Sequence, residues 1–133
     1  MPSLFDSYVL GPVHLKNRIV LPPMTRTRTS EGDLPTDGDV PNELMATYYG
    51  QRAGAGLIIT EATDVDPSGH GYARTPGIHS EAQMRGWRLV TAEVHRHGGT
   101  AFTQLWHVGR LAHSSLLPNR QAPMGDRGRD AHC

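Results

Sequence analysis

Residues 101–110 read Ala-Phe-Thr-Gln-Leu-Trp-His-Val-Gly-Arg, a β-favouring run around one amide, followed by a tryptophan, a histidine and a Gly-Arg turn. In a strand, successive side chains alternate faces. Phe102, Gln104 and Trp106 then share one face, and Ala101, Thr103 and Leu105 the other. An amide between two aromatics is costly to bury without a partner. Two explanations stand open: a core strand whose Gln104 bonds to neighbouring backbone, or an amide that reads the edge of a flat heteroaromatic ligand.

Upstream of this run, Ser80-Glu81-Ala82-Gln83 has the spacing of a capping box. Met84, Trp87, Thr91 and Val94 follow as an apolar stripe, and Gly98-Gly99 closes the helix. Before it, Leu57-Ile58-Ile59-Thr60 is a short buried strand leading into Glu61-Ala62-Thr63. An earlier helix starts at Pro41, which suits a first turn; it carries Leu44, Met45, Tyr48, Tyr49 and Arg52 at helical spacing and ends by Gly54 and Gly56. Arg18-Ile19-Val20-Leu21 is a first strand, halted by Pro22-Pro23. Ahead of it, Tyr8–Leu10 and Val13–Leu15 flank Gly11-Pro12 as a small hairpin. Residues 29–40 and 64–79 have loop composition.

The order strand, helix, strand, helix, strand, with each strand a continuous apolar run, predicts an α/β fold with parallel strands covered by helices. It fits a doubly wound open sheet or the opening of a TIM (β/α)8 barrel. A whole barrel needs about 250 residues. With 133, the chain would hold about three β/α units, preceded by the hairpin. Thirteen basic and thirteen acidic residues balance, so no nucleic acid or anionic membrane partner is expected. No apolar run reaches the roughly 20 residues that span a bilayer, and the N-terminus has no basic-then-apolar leader. The one cysteine, Cys133, excludes an internal disulfide, so a reducing, cytoplasmic location is expected.

In either architecture, ligands bind at the C-terminal ends of the strands. Here these ends are Pro23-Met24-Thr25, Glu61-Ala62-Thr63 and Gln104-Leu105-Trp106-His107. None carries a phosphate-cradling glycine loop, and none pairs a nucleophile with a base. A hydroxyl, a small residue, an amide and an aromatic wall suit a planar ring whose own chemistry does the hard step. Glu61 alone is a weak general-base candidate and reads better as half of an internal ion pair. The eight histidines include no tight four-ligand set, so no metal is expected.

Three blocks then carry a specific likeness: Leu-Pro-Pro-Met-Thr-Arg at 21–26, Tyr-Tyr-Gly-Gln-Arg-Ala-Gly-Ala-Gly-Leu-Ile-Ile-Thr-Glu-Ala-Thr at 48–63, and Gln-Leu-Trp-His-Val-Gly-Arg at 104–110. In order and spacing they resemble the Old Yellow Enzyme family of FMN-dependent ene reductases, N-ethylmaleimide reductases among them. The resemblance implies a (β/α)8 barrel with FMN at its C-terminal mouth. It implies flavin contacts from Pro23 and Met24, a hydrogen bond from Thr25 to flavin O4, a required small residue at Ala62, and Gln104 on the pyrimidine edge. Tyr72 and Trp106 become walls of the substrate pocket. NAD(P)H would reduce the flavin, which would pass hydride to the β-carbon of an α,β-unsaturated carbonyl or nitro compound.

The family's substrate-carbonyl ligands, tyrosine proton donor and phosphate-gripping basic residues lie in later strands, so no catalytic residue is expected within this chain. Alone, it is expected to bind FMN poorly and to be inactive. Residues 1–124 are expected to form the partial barrel. Residues 125–133, Gly-Asp-Arg-Gly-Arg-Asp-Ala-His-Cys, diverge from the family and are expected to be a disordered tail. A non-catalytic interaction segment is the alternative. Open sheet edges template association, so the isolated chain should self-associate or behave as a molten species in gel filtration. A compact monomer with a sharp thermal transition would contradict this.

Overall fold

The structure is a computed structural model describing residues 1–30 and 38–125. Strands β1 (Tyr8–Leu10) and β2 (Val13–Leu15) form the expected antiparallel hairpin, with Gly11 at positive φ in its turn. Only Leu15 of the hairpin is buried, so it adds little to the core.

The centre is a parallel sheet in the order β3 (Val20–Leu21), β4 (Leu57–Ile59), β6 (Ala101–Phe102). Helix α1 (Glu43–Gly50) connects the first pair and α2 (Glu81–Arg96) the second. Leu21, Ile58 and Ala101 are register partners and form one rung. That rung packs against Met45, Ala46, Tyr49 and Ala53 from the α1 side and Trp87, Val90 and Val94 of α2. Neighbouring positions face the other way: Val20 is 45% and Phe102 44% exposed. Helices therefore cover one face of the sheet; on the other, the outer-strand residues Val20 and Phe102 are exposed while the central Leu57 is buried. This gives two β/α units and a third strand; beyond Trp106 the only regular elements among the described residues are 3-10 turns.

Beyond β4 and β6 the ladder resumes as β5 (Thr63–Asp64) against β7 (Leu105–Trp106). Ile59 pairs with Phe102 and Thr63 with Leu105, so residues 60–62 stand opposite 103–104. Three residues facing two is a bulge, which disrupts the ladder and re-aims the side chains around it. The single strand expected over 100–106 is thus split at Thr103-Gln104.

Local chemistry also corrects both helices. Asn42, not Pro41, organises the start of α1: its side chain accepts from the Met45 N–H at 3.1 Å, and Pro41 lies just before the cap. Leu44 is 60% exposed, since the buried face runs through Met45, Ala46 and Tyr49. The Ser80–Gln83 capping box forms as expected. Gln83 is nevertheless buried, because its carbonyl accepts the N–H groups of both His79 and Ser80 while its amide donates to the Gly38 carbonyl. The buried stripe of α2 therefore runs Gln83, Gly86-Trp87, Val90, Val94, with Met84 and Thr91 at its margins.

A Cβ at Gly86 would collide with the Pro41 carbonyl, so α2 crosses the start of α1 at a distance only glycine permits. Residues 31–37 and 126–133, nearly all of the expected 125–133 tail, lie outside the described residues. Among the described residues no helix is long and apolar enough to cross a membrane. Gly86→Ala raises intrinsic helix propensity by about 1 kcal/mol, yet the Pro41 contact predicts a lower thermal midpoint. An unchanged or raised midpoint would refute this helix crossing.

Candidate functional site at the strand ends

Glu61 sits in the bulge, 1% exposed. Its Oε1 accepts from the Tyr49 hydroxyl at 3.1 Å and its Oε2 from the Arg26 backbone N–H at 3.0 Å. The Glu61 N–H in turn donates to the Tyr49 oxygen at 2.8 Å. Thr60 and Thr63 hydroxyls both donate to the Glu61 carbonyl, at 3.1 and 3.0 Å. Burial raises the carboxyl's pKa, against the stabilising Arg26 N–H and Tyr49 hydrogen bonds. The Tyr49 phenol is raised too, by burial first and then by the Glu61 charge. Among the described residues the internal ion pair expected for Glu61 does not form: its close partners are a phenol and a backbone amide. That arrangement makes it an anchor, with each carboxylate oxygen engaged by a donor of this chain.

The anchor fixes where the three strand ends lie. Arg26, next to Thr25, is tied to Glu61, next to Ala62. The Thr63 N–H, just past Ala62, donates to the Gln104 carbonyl at 2.9 Å. The segments carrying Thr25, Ala62 and Gln104 are therefore neighbours on one edge of the sheet. Ala62 is buried at 3% exposure. Pro23 is half-buried, while Met24, Thr25 and Gln104 are exposed. Exposure of Phe102, Gln104 and Leu105 overturns the core-strand explanation for 101–106, in which Gln104 would be a buried amide bonded to backbone.

Tyr72 reaches this edge from the loop after β5. Its ring stacks on Trp106, centroids 5.7 Å apart and planes 21° from parallel. Trp106 Nε1 is buried with no acceptor among the described residues. The two residues expected to wall a pocket thus touch, although 34 positions separate them in sequence.

Sequence reasoning missed a polar cluster behind that wall. Asp64, the ladder partner of Trp106, is 1% exposed. Its Oδ2 meets His70 Nδ1 at 2.6 Å and the Thr75 hydroxyl at 3.3 Å, and its Oδ1 is buried without a partner among the described residues. A cavity of about 590 Å³ adjoins the cluster, lined by Asp39, Asp64, His70, His79 and the turn at 115–119. A smaller one, about 140 Å³, lies between Arg26, Arg28, Tyr48 and Glu61. Thr25, Gln104 and Tyr72 line neither, and present an open surface. His107 is a loop tie: its Nδ1 accepts from the Gly109 N–H at 3.0 Å and its Nε2 lies 3.2 Å from the Ser68 hydroxyl. Among the described residues no group of three His, Cys, Asp or Glu is placed to hold a metal ion.

The family model for the NADH:flavin oxidoreductase / NADH oxidase family matches residues 3–132. The chain is 43% identical over 122 residues to 12-oxophytodienoate reductase 1 of Oryza sativa subsp. japonica, covering 91% of this chain and 30% of that protein. It is 44% identical to a chanoclavine-I aldehyde reductase of Penicillium roqueforti, covering 88% and 31%. Among solved structures, morphinone reductase in complex with tetrahydroNAD superposes with a TM-score of 0.85 at 46% identity, covering 92% of this chain and 32% of that one. The old yellow enzyme homologue from Zymomonas mobilis gives 0.79 at 47%, covering 86% and 31%. The chain spans about a third of the length of the relatives it matches. With its parallel β/α order and this likeness along nearly its whole length, the chain belongs to the NADH:flavin oxidoreductase / NADH oxidase family, the family of the old yellow enzymes.

Proposed function

We propose that this chain supplies the flavin-edge part of an FMN-dependent reductase of activated C=C bonds. The observation that carries the reading is the shared edge: an exposed Thr25 hydroxyl and an exposed Gln104 amide, neither with a side-chain hydrogen bond among the described residues, held beside the buried Ala62 by the Glu61 and Thr63 hydrogen bonds. That donor set fits a planar heteroaromatic with alternating carbonyl and N–H groups. Thr25 donates to a ring carbonyl. Gln104 both donates and accepts on the pyrimidine side. Ala62 leaves room for the ring, and Pro23 and Met24 supply apolar contact.

When bound, the flavin would take reducing equivalents from NAD(P)H and deliver hydride to an α,β-unsaturated carbonyl or nitro compound. The nicotinamide ligand of the morphinone reductase structure supports that choice of reductant. Tyr72 and Trp106 form one wall against the substrate. No residue here is assigned to protonate the substrate or bind its carbonyl, so the chain alone is inactive in this proposal.

A second reading has its own observation. Val20, Phe102 and Leu105 are exposed on or beside a sheet with open edges at β3 and β6, a surface suited to pairing with another chain.

Titrating the chain with lumiflavin, the ring without ribityl phosphate, and with FMN separates the two by quenching of flavin fluorescence. The flavin-edge proposal predicts weak binding of similar strength for both. Thr25→Ala and Gln104→Ala should each weaken it about fivefold, a typical single hydrogen bond. No binding, or binding indifferent to both substitutions, would refute it.

A further inference from the structure

The His70 ring lies between two carboxylates. Its Nδ1 is 2.6 Å from Asp64 Oδ2 and its Nε2 is 3.5 Å from Asp39 Oδ2. A neutral imidazole carries one N–H. The short contact takes that hydrogen at Nδ1, which would leave the Nε2 lone pair facing a second negative oxygen. Only the doubly protonated ring is attracted at both ends.

The contacts join three stretches of chain. Asp39 precedes α1, Asp64 is β5, and His70 belongs to the loop between β5 and α2. The same stretches meet elsewhere. The Thr29 hydroxyl donates to Asp39 Oδ1 at 3.1 Å, the Arg74 guanidinium donates to the Thr29 carbonyl at 2.9 Å, and the Gly77 N–H donates to the Asp39 carbonyl at 3.3 Å. A path also leads from the clasp to Tyr72. The Thr75 hydroxyl touches Asp64 Oδ2 and donates to the Tyr72 carbonyl at 2.8 Å. Trp106, on which the Tyr72 ring stacks, pairs with Asp64 in the ladder. Asp64 is thus common to the imidazole clasp and to both halves of the aromatic wall. Its Oδ1 has no partner among the described residues, so the cation at Oδ2 is its main compensation there.

We propose that His70 is a pH-dependent positioning residue: as an imidazolium clasped between Asp64 and Asp39 it holds the loop that presents Tyr72 to Trp106, and on losing its proton it frees that loop.

The groups facing the ring are Asp64 from β5, Asp39 from the segment before α1, and His79 from the approach to α2. Asp66 acts on His79 rather than on His70, and the Arg74 backbone N–H stabilises the Asp39 charge. The hydrogen bond to Asp64 raises His70 above its ordinary 6.5, outweighing burial. Burial raises the Asp39 carboxyl. A raised histidine gives stabilisation that is complete below its unfolded pKa and is lost as pH rises through the folded one. The clasp is therefore tightest between the Asp39 and His70 titrations and loosens on the alkaline side.

The consequence for substrate rests on Tyr72 and Trp106 being pocket walls; the clasp itself does not. The test is 15N NMR of the whole chain labelled at histidine and tryptophan, with no flavin present, so that its outcome is independent of flavin binding. The expected result is a His70 ring with both nitrogens protonated at pH 6.5, a midpoint above that pH, and a Trp106 indole signal that moves with the same midpoint. Asp39→Asn should lower both midpoints together, and His70→Gln should remove the pH dependence of the Trp106 signal. A single neutral tautomer at pH 6.5 would overturn the proposal, as would a Trp106 signal that ignores the His70 titration or keeps its midpoint in His70→Gln.

Discussion

One buried carboxylate sets the geometry on which the strand-end edge depends. Glu61 occupies the bulge between β4 and β5 and holds two groups that no ladder reaches, the Tyr49 hydroxyl on α1 and the Arg26 N–H in the irregular segment after β3. Removing a carboxylate from water costs several kcal/mol unless hydrogen bonds replace its hydration. Here the phenol and the amide supply that replacement, and the raised carboxyl pKa reports the part they leave uncompensated. The tyrosine hydroxyl accepts from the Glu61 N–H as well as donating to its carboxylate, so helix and strand end are joined by a closed pair of bonds.

From this constraint the division of the sheet follows. Below the bulge, the rung Leu21, Ile58 and Ala101 is apolar and pressed against two helices, one of which can approach only because residue 86 has no side chain. Above it, the chain turns polar and the side chains are released from strict alternation. Thr25 and Gln104 then project where the helices do not reach, while Ala62 stays inside. Stability and function are separated along the strands: apolar rungs hold the sheet, and the irregular ends carry the chemistry. The loop between β5 and α2 follows the same economy, hanging from Asp64 through His70 and Thr75 on one side and from the Tyr72–Trp106 stack on the other.

The α/β order, the opening hairpin and the Ser80 cap were legible in the sequence because each rests on local chemistry: apolar runs, a Gly turn, a Ser-x-x-Gln spacing. The split at Thr103-Gln104 was not, because it follows from three residues opposing two on a neighbouring strand, a count no single segment contains. Leu44 and Met45 could not be ranked by apolar character, since their burial depends on where α2 crosses. Gln83 was hidden for a related reason, as its burial is satisfied by a loop 45 residues away. At the strand ends, parallel topology alone predicts that residues 23–25, 61–63 and 104–107 share an edge. The pairing of Tyr72 with Trp106 was reachable only through family likeness. Asp64, His70 and Asp39 gave no signal, because an aspartate and a histidine six apart in a loop are unremarkable until folding adds the second carboxylate.

The account depends most directly on the bond between the Glu61 carboxylate and the Arg26 amide, which can be read by amide hydrogen exchange. Arg26 lies outside any helix or strand, so without Glu61 its N–H has no reason to be protected. The account predicts slow exchange at Arg26 relative to Met24 and Thr25 in the native chain, and loss of that protection in Glu61→Ala while the core amides of α2 stay protected. Arg26 exchanging as fast as its neighbours in the native chain, or staying protected in Glu61→Ala, would contradict it.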